Sequence, residues 1–198
     1  MYRSTAARLG RIVPAATLVA ILAAAPAAAQ SGFDLKVTAY KQAVAENLSE
    51  DRDVAEFYRA RDFQPLWTGA DDAHRDRRAA LIEAMRAAGD HGLPARRYDV
   101  EGLVARMAAA RAGRDRGAIE VELTRVYLQF ARDLQSGLLD PNAVDGDIKR
   151  DRPVRGAGVL LSRLETLDPR AAMRGLGPQT AEYARLMRTK LLLERQIA

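Results

Sequence analysis

The chain has 198 residues, of which 48% are hydrophobic and 29% are charged, and its formal net charge is +5. This length favours one domain with a substantial core. The chain has no cysteine, which excludes disulfides, cysteine-ligated zinc and a thiol nucleophile of its own. It has only two histidines, His74 and His91, so we expect neither a metal site nor a bound cofactor.

The first residues predict an exported protein. Three arginines and no acid precede an apolar stretch over 12–25, and small residues then run to Ala29. This order is typical of a secretory signal peptide over 1–29, and it leaves a mature chain over 30–198. An uncleaved membrane anchor is the alternative, but the apolar stretch is short, alanine-rich and bracketed by prolines.

Charge is spread along the mature chain rather than concentrated. Cleavage would remove three arginines and no acid, which lowers the net charge from +5 to +2. The remaining arginines alternate with acids, as a solvated mixed-charge surface requires. We therefore expect no nucleic-acid partner, and membrane contact only through the signal segment if it is uncleaved.

The first part of the mature chain has a helical pattern. A weak helix is predicted near 34–47, and a stronger one over 50–61 buries Val54, Phe57 and Tyr58. Gln64-Pro65 ends these helices. The next apolar stripe has Asp71 or Asp72 as its candidate cap and runs through Leu81, Ile82, Met85 and Ala88. Gly89 to Pro94 then predicts a sharp corner.

The second part is helical as well. A weak helix is predicted near 99–112, followed by a polar break over 114–117. A long helix over 116–136 carries one stripe, with Gly137 as its stop. That stripe comprises Ile119, Leu123, Val126, Tyr127, Phe130 and Leu134.

The last part continues the same pattern after an irregular stretch over 137–153. A weak helix is predicted near 156–167, and a short one opens at Asp168-Pro169 and closes at Gly175. A final stripe follows Pro178 and comprises Tyr183, Leu186, Met187, Leu191 and Leu192. No strand is predicted, so the fold class is all-α, a single irregular bundle of about seven helices.

The acidic residues and His91 give little indication of a catalytic or metal-binding site. Asp140, Asp145 and Asp147 lack the spacing of a calcium loop and are better explained as turn formers. His91 lies in the predicted corner, from which Leu93 and Tyr98 fold back onto the core. Scattered surface positions are expected for Glu83, Glu101, Glu120, Glu122, Glu165 and Glu182.

Trp67 is the only tryptophan and the one candidate binding residue. It follows a helix within the segment Phe63-Gln64-Pro65-Leu66-Trp67-Thr68-Gly69. One interpretation is a buried anchor that holds this turn to the bundle. The other is a surface platform on which a sugar ring stacks.

The order of several motifs resembles the N-terminal scaffold domain of the large murein L,D-transpeptidases. The resemblance covers about residues 40–195. It is carried by Phe57-Tyr58 with Arg61, Phe63 to Trp67, His91-Gly92-Leu93-Pro94 with Tyr98, Glu122-Leu123-Thr124, Asp133-Leu134, Gly137, Asp140-Pro141, Leu160-Leu161, and Leu176 with Pro178, Tyr183 and Leu186.

The resemblance implies a periplasmic cell-wall protein. In that family the scaffold precedes a peptidoglycan-binding module and a catalytic domain, whose cysteine makes 3→3 cross-links between stem peptides. This chain has no cysteine, so no catalytic residue transfers to it and we expect it to be inactive alone. The partners implied are peptidoglycan or an L,D-transpeptidase catalytic module.

Three functional hypotheses remain open from the sequence. The first is the scaffold portion of such an enzyme; the last helix lacks a terminating Gly or Pro, which favours truncation. The second is a stand-alone periplasmic interaction protein that binds peptidoglycan or a partner enzyme. The third is a carboxylate enzyme such as a murein hydrolase, which would need two acids facing each other across a groove.

Overall fold

The computed structural model describes residues 39–139 and 154–197. Eight α-helices and two short 3-10 helices form this part of the chain, and no strand occurs among the described residues. The prediction of an all-α fold is therefore confirmed. The predicted signal peptide lies outside the described residues, as do Asp140, Asp145 and Asp147.

The described part of the chain has the following α-helices in chain order. They are α1 at 39–47, α2 at Arg52–Ala60, α3 at Asp72–Arg86, α4 at Val100–Ala109, α5 at Gly113–Ser136, α6 at Ala157–Thr166, α7 at Pro169–Arg174 and α8 at Ala181–Ile197. The 3-10 helices Ala87–His91 and Ala95–Tyr98 connect α3 to α4. Among the described helices, none is both long and apolar enough to cross a membrane.

Helix ends follow the local chemistry of the sequence. The Asp71 carboxylate caps α3 by accepting a hydrogen bond from the His74 amide at 3.0 Å. Asp168 caps α7 in the same way, with Pro169 in the first turn. Gly137 follows α5 with a positive φ of 73°, which a residue with a side chain rarely adopts.

Helix α5 supplies the centre of the core. Its predicted stripe is buried at five of six positions, and Val126 is half-buried. The predicted polar break at 114–117 is wrong, because these residues form the first turns of α5. Arg114 reaches outward to pair with Glu46 at 2.7 Å, so polar residues there are solvated without interrupting the helix.

Gly117 marks a close approach between α5 and α1. A Cβ at this position would lie 2.6 Å from the Tyr40 carbonyl oxygen and 2.8 Å from the Ala43 Cβ. We expect Gly117→Ala to lower the free energy of unfolding by about 1–3 kcal/mol, because overpacking against backbone outweighs the better helix propensity of alanine. Denaturant unfolding measures the change.

Gly158 in α6 is the matched control for that substitution. A Cβ there would meet nothing within 4 Å. Gly158→Ala should therefore raise the free energy of unfolding by up to about 1 kcal/mol through propensity alone. Equal effects of the two substitutions would contradict the close approach of α1 and α5.

The remaining helices pack around this centre. Helix α3 packs on α7, α2 packs on α6, and α6 packs on α7. Helix α8 is different, because it contacts mainly the 3-10 helix Ala87–His91 and buries none of its residues. Its predicted stripe is only partly covered: Tyr183, Met187 and Leu191 are half-buried, whereas Leu186 is 70% exposed and Leu192 is 59% exposed.

Candidate functional site

The structure places Trp67 in the core rather than on the surface. Its side chain is 0% exposed, and its ring lies edge-on to Tyr127 with the centroids 5.7 Å apart. The indole Nε1 donates to Thr124 Oγ1 at 2.9 Å. Sugar stacking needs an open ring face, so the surface assignment of Trp67 is corrected to the buried anchor.

The anchor is built around the buried carboxylate of Glu120 on α5. Its two oxygens accept five hydrogen-bond donors, three backbone amides and two hydroxyls, at 2.6–3.3 Å. The amides belong to Leu66, Trp67 and Thr68, and the hydroxyls to Tyr58 and Thr68. A carboxylate is an acceptor-only group with several lone-pair sites, which suits this convergence of donors.

Cationic side chains hold the opposite side of the same turn. Arg77 on α3 donates to the Leu66 carbonyl at 3.1 Å, and Arg116 on α5 donates to the Thr68 carbonyl at 2.7 Å. Arg78 donates to the Trp67 carbonyl. The turn therefore has both its amides and its carbonyls satisfied by α3 and α5, which fixes it between the two helices.

Tyr58 and Thr124 complete the buried cluster. The Tyr58 hydroxyl lies 2.8 Å from both Glu120 Oε1 and Thr124 Oγ1. Burial and the neighbouring Glu120 carboxylate raise the pKa of Tyr58 well above its ordinary value, so this hydroxyl stays a proton donor. The five donors of the Glu120 carboxylate lie in this turn and on Tyr58, which indicates a role in holding the fold.

The expectation that all six glutamates are scattered on the surface is wrong for Glu120 alone. The other five are between 35% and 79% exposed, and each pairs with an arginine. A signal for Glu120 existed in the sequence, because Thr124 and Tyr127 follow it at i+4 and i+7. That spacing places all three on the buried side of α5.

Asp133 forms a second buried carboxylate near the other end of α5. It is 6% exposed, and its Oδ2 accepts from Arg97 Nε at 2.7 Å and from the Tyr98 hydroxyl at 2.9 Å. The predicted return of Leu93 and Tyr98 to the core is confirmed, since they are 6% and 5% exposed. Asp133 thus holds the second 3-10 helix to α5.

His91 connects the corner to α8. Its Nδ1 lies 2.6 Å from the Tyr183 hydroxyl, and the two rings stack with centroids 6.1 Å apart. Burial lowers the pKa of His91 from its ordinary 6.5, and the positive charge of Lys190 adds to this while Asp90 opposes it. The arrangement suits a neutral imidazole that accepts from Tyr183.

Docking of α8 should therefore weaken in acid. The pKa of His91 is lower in the folded state than its ordinary value of 6.5. Its contribution to the stability of the folded state is therefore fully present above pH 6.5, and it is lost as the pH falls through the lowered pKa. We expect hydrogen exchange of α8 amides, corrected for intrinsic rates, to accelerate below about pH 6. His91→Gln should remove most of this pH dependence; unchanged protection of α8 from pH 7.5 to pH 5 would contradict the assignment.

Two surfaces on the described part of the chain are candidates for binding a partner or ligand. The first is the outer apolar stripe of α8, formed by Leu186, Leu193 and Ile197, which are 70%, 53% and 86% exposed. The second is a groove of about 840 Å³ between the start of α2, the second half of α5 and the start of α6. More arginines than aspartates line this groove.

These features define an all-helical domain without an assembled catalytic site among its described residues. Its buried polar groups hold turns in place, and its exposed surfaces can bind a partner or ligand. The chain matches the family model described as Scaffold domain over residues 52–189, more than half of its length. It therefore belongs to the Scaffold domain family. No curated protein and no solved structure matches it.

Proposed function

We propose that this chain is the non-catalytic scaffold portion of a periplasmic murein L,D-transpeptidase, which makes 3→3 cross-links between peptidoglycan stem peptides. Membership of the Scaffold domain family supports the scaffold role. The order of motifs from Phe57 to Leu186 supports the murein context. These 198 residues hold no cysteine, so in this proposal the attacking thiolate lies in a catalytic module outside them.

The outer apolar stripe of α8 is the observation that carries this proposal. Leu186, Leu193 and Ile197 recur at i, i+7 and i+11, so they lie on one side of the helix. Large apolar side chains that are exposed along one side of a helix are typical of an interaction site. In the proposal this stripe packs against the catalytic module and holds it on the scaffold.

Mixing the purified chain with a separately produced L,D-transpeptidase catalytic module tests the proposal. Sedimentation velocity should show a complex, and chromatography of muropeptides should show more 3→3 cross-links than the module makes alone. The chain alone should make none. Failure to associate, or cross-linking by the chain alone, overturns the proposal.

Substitutions on α8 sharpen this test. Leu186→Lys and Leu193→Lys place a charge on the outer stripe and should abolish the complex. Leu192→Lys is the matched control, because Leu192 is 59% exposed but lies about 100° around the helix from Leu193. Equal loss of binding in all three variants would show that the stripe is not the contact.

A stand-alone periplasmic interaction protein is the second candidate function. The arginine-lined groove favours it, because such a surface can bind an anionic polymer without a catalytic partner. Sedimentation with purified sacculi distinguishes the two candidates. Retention on sacculi with no affinity for the catalytic module supports the stand-alone protein.

A further inference from the structure

We infer that the groove between α2, α5 and α6 binds the carboxylates of a peptidoglycan stem peptide, an inference that rests on the proposed murein function. Its volume of about 840 Å³ lies within the range of pockets that hold small ligands. Five arginines and three aspartates line its described part, so the groove has a net positive charge. The arginines are Arg52, Arg97, Arg125, Arg132 and Arg155.

The five arginines differ in whether a nearby carboxylate neutralises their positive charge. Arg97 is paired with the buried Asp133 at 2.7 Å, and Arg125 lies 3.9 Å from Asp51. Among the described residues, Arg52 and Arg132 are exposed and form no ion pair. No described carboxylate therefore neutralises these two guanidinium groups, and we infer that they contact the ligand.

One wall of the groove is already rigid. Arg155 Nε donates to Gln135 Oε1 at 3.1 Å, its backbone amide donates to the same oxygen at 2.9 Å, and its Nη2 donates to the Leu176 carbonyl. A fixed cation loses little side-chain entropy when a ligand binds. Planar guanidinium groups also match the two oxygens of a carboxylate.

The spacing of charges on α5 points to a ligand with several carboxylates. Arg125 and Arg132 are seven residues apart on the same side of α5, which separates their Cα atoms by about 10 Å. Two to three extended residues span a similar length. A stem peptide carries carboxylates at the α-carbon of γ-linked glutamate, on diaminopimelate and at its C-terminus, which gives comparable separations.

The aspartates of the groove fit the same ligand. Asp51 and Asp53 lie at the start of α2, and the Asp51 side chain is 46% exposed. Diaminopimelate carries one ammonium group as well as a carboxylate, so a stem peptide needs a few acids among mostly cationic partners. A polymer that carries only negative charge has no ammonium group to pair with these acids. The mixed charge therefore favours an acidic, zwitterionic peptide.

Calorimetric titration of the purified chain with the stem tetrapeptide Ala-γ-Glu-diaminopimelate-Ala tests the inference. We expect binding that weakens with added salt, and about tenfold weaker binding for Arg132→Ala and for Arg52→Ala, as loss of a charge-assisted hydrogen bond implies. Arg111→Ala is the matched control, because Arg111 is exposed outside the groove. Its affinity and the thermal midpoints of all variants should stay unchanged.

Ligand variants identify what is recognised. Amidation of the peptide carboxyl groups should abolish binding. An all-L acidic peptide of the same net charge should bind at least about tenfold more weakly, because its carboxylates point in different directions. No binding of the tetrapeptide, equal binding of the all-L peptide, or equal loss in Arg111→Ala overturns the inference. Tetrapeptide binding is measured without the catalytic module. Its failure would overturn this inference without affecting the test of the complex between α8 and the catalytic module.

Discussion

Glu120→Ala should lower the free energy of unfolding by about 3–5 kcal/mol, because it leaves several buried donors unpaired at about 1–3 kcal/mol each before the structure relaxes. The substitution leaves the amides of Leu66, Trp67 and Thr68 without their acceptor. Buried amides without partners retain their full desolvation cost. Since domains of this size are stable by about 5–15 kcal/mol, the loss is a large fraction of the total.

Glu122→Ala is the matched control for this prediction. Glu122 lies two residues further along α5, is 35% exposed and pairs with Arg106 at 2.8 Å. A partly exposed ion pair contributes about 0–1 kcal/mol. Urea unfolding followed by circular dichroism should therefore separate the two alanine variants by several kcal/mol.

Glu120→Gln keeps the result interpretable if the alanine variant does not fold. Glutamine has nearly the same shape, but its amide nitrogen donates where the carboxylate oxygen accepted. We expect a loss of about 1–3 kcal/mol, between those of Glu122→Ala and Glu120→Ala. If all three variants unfold at the same urea concentration, the Glu120 carboxylate does not hold the turn.

The helices of this protein were predictable because their signals are local. Asp71, Asp168 and Gly137 act through hydrogen bonds or backbone angles within a few residues, and the structure shows each in its predicted role. The stripe of α5 was predictable for a related reason. One helix buries one continuous face, and the period of 3.6 residues identifies that face.

The position of α8 was not predictable in the same way. Periodicity identifies an apolar face but does not say which surface covers it. Leu186 therefore has the pattern of a core residue and is 70% exposed. Burial here depends on what packs against the helix, and within the described residues the main contact is the 3-10 helix Ala87–His91.

The partners of Glu120 were not predictable, because they are distant in sequence. Leu66 is 54 residues away and Tyr58 is 62 residues away, so no local pattern joins them. A glutamate is rarely buried, and sequence reasoning follows that frequency. The turn over Phe63 to Gly69 was recognisable as a motif, but its chemical partner became visible only in the folded chain.

Trp67→Ala should lower the free energy of unfolding by about 3–5 kcal/mol, as truncation of a buried aromatic side chain does. The side chain is 0% exposed, so its removal leaves a cavity against Tyr127 and also deprives Thr124 of a donor. Differential scanning calorimetry measures the loss through the thermal midpoint. An unchanged midpoint with weakened binding to sacculi would instead identify Trp67 as a ligand-contacting residue.

Two further variants divide this effect between packing and hydrogen bonding. Trp67→Phe keeps most of the apolar volume and loses the indole donor, so its loss should be smaller than that of alanine. Thr124→Val keeps the shape of the acceptor side chain and removes its hydroxyl, which should cost about 1–3 kcal/mol because Trp67 Nε1 and the Tyr58 hydroxyl both contact it. Both single variants remove the hydrogen bond from Trp67 Nε1 to Thr124 Oγ1. If this bond contributes to stability, the loss in the double variant Trp67→Phe with Thr124→Val will be smaller than the sum of the two single losses.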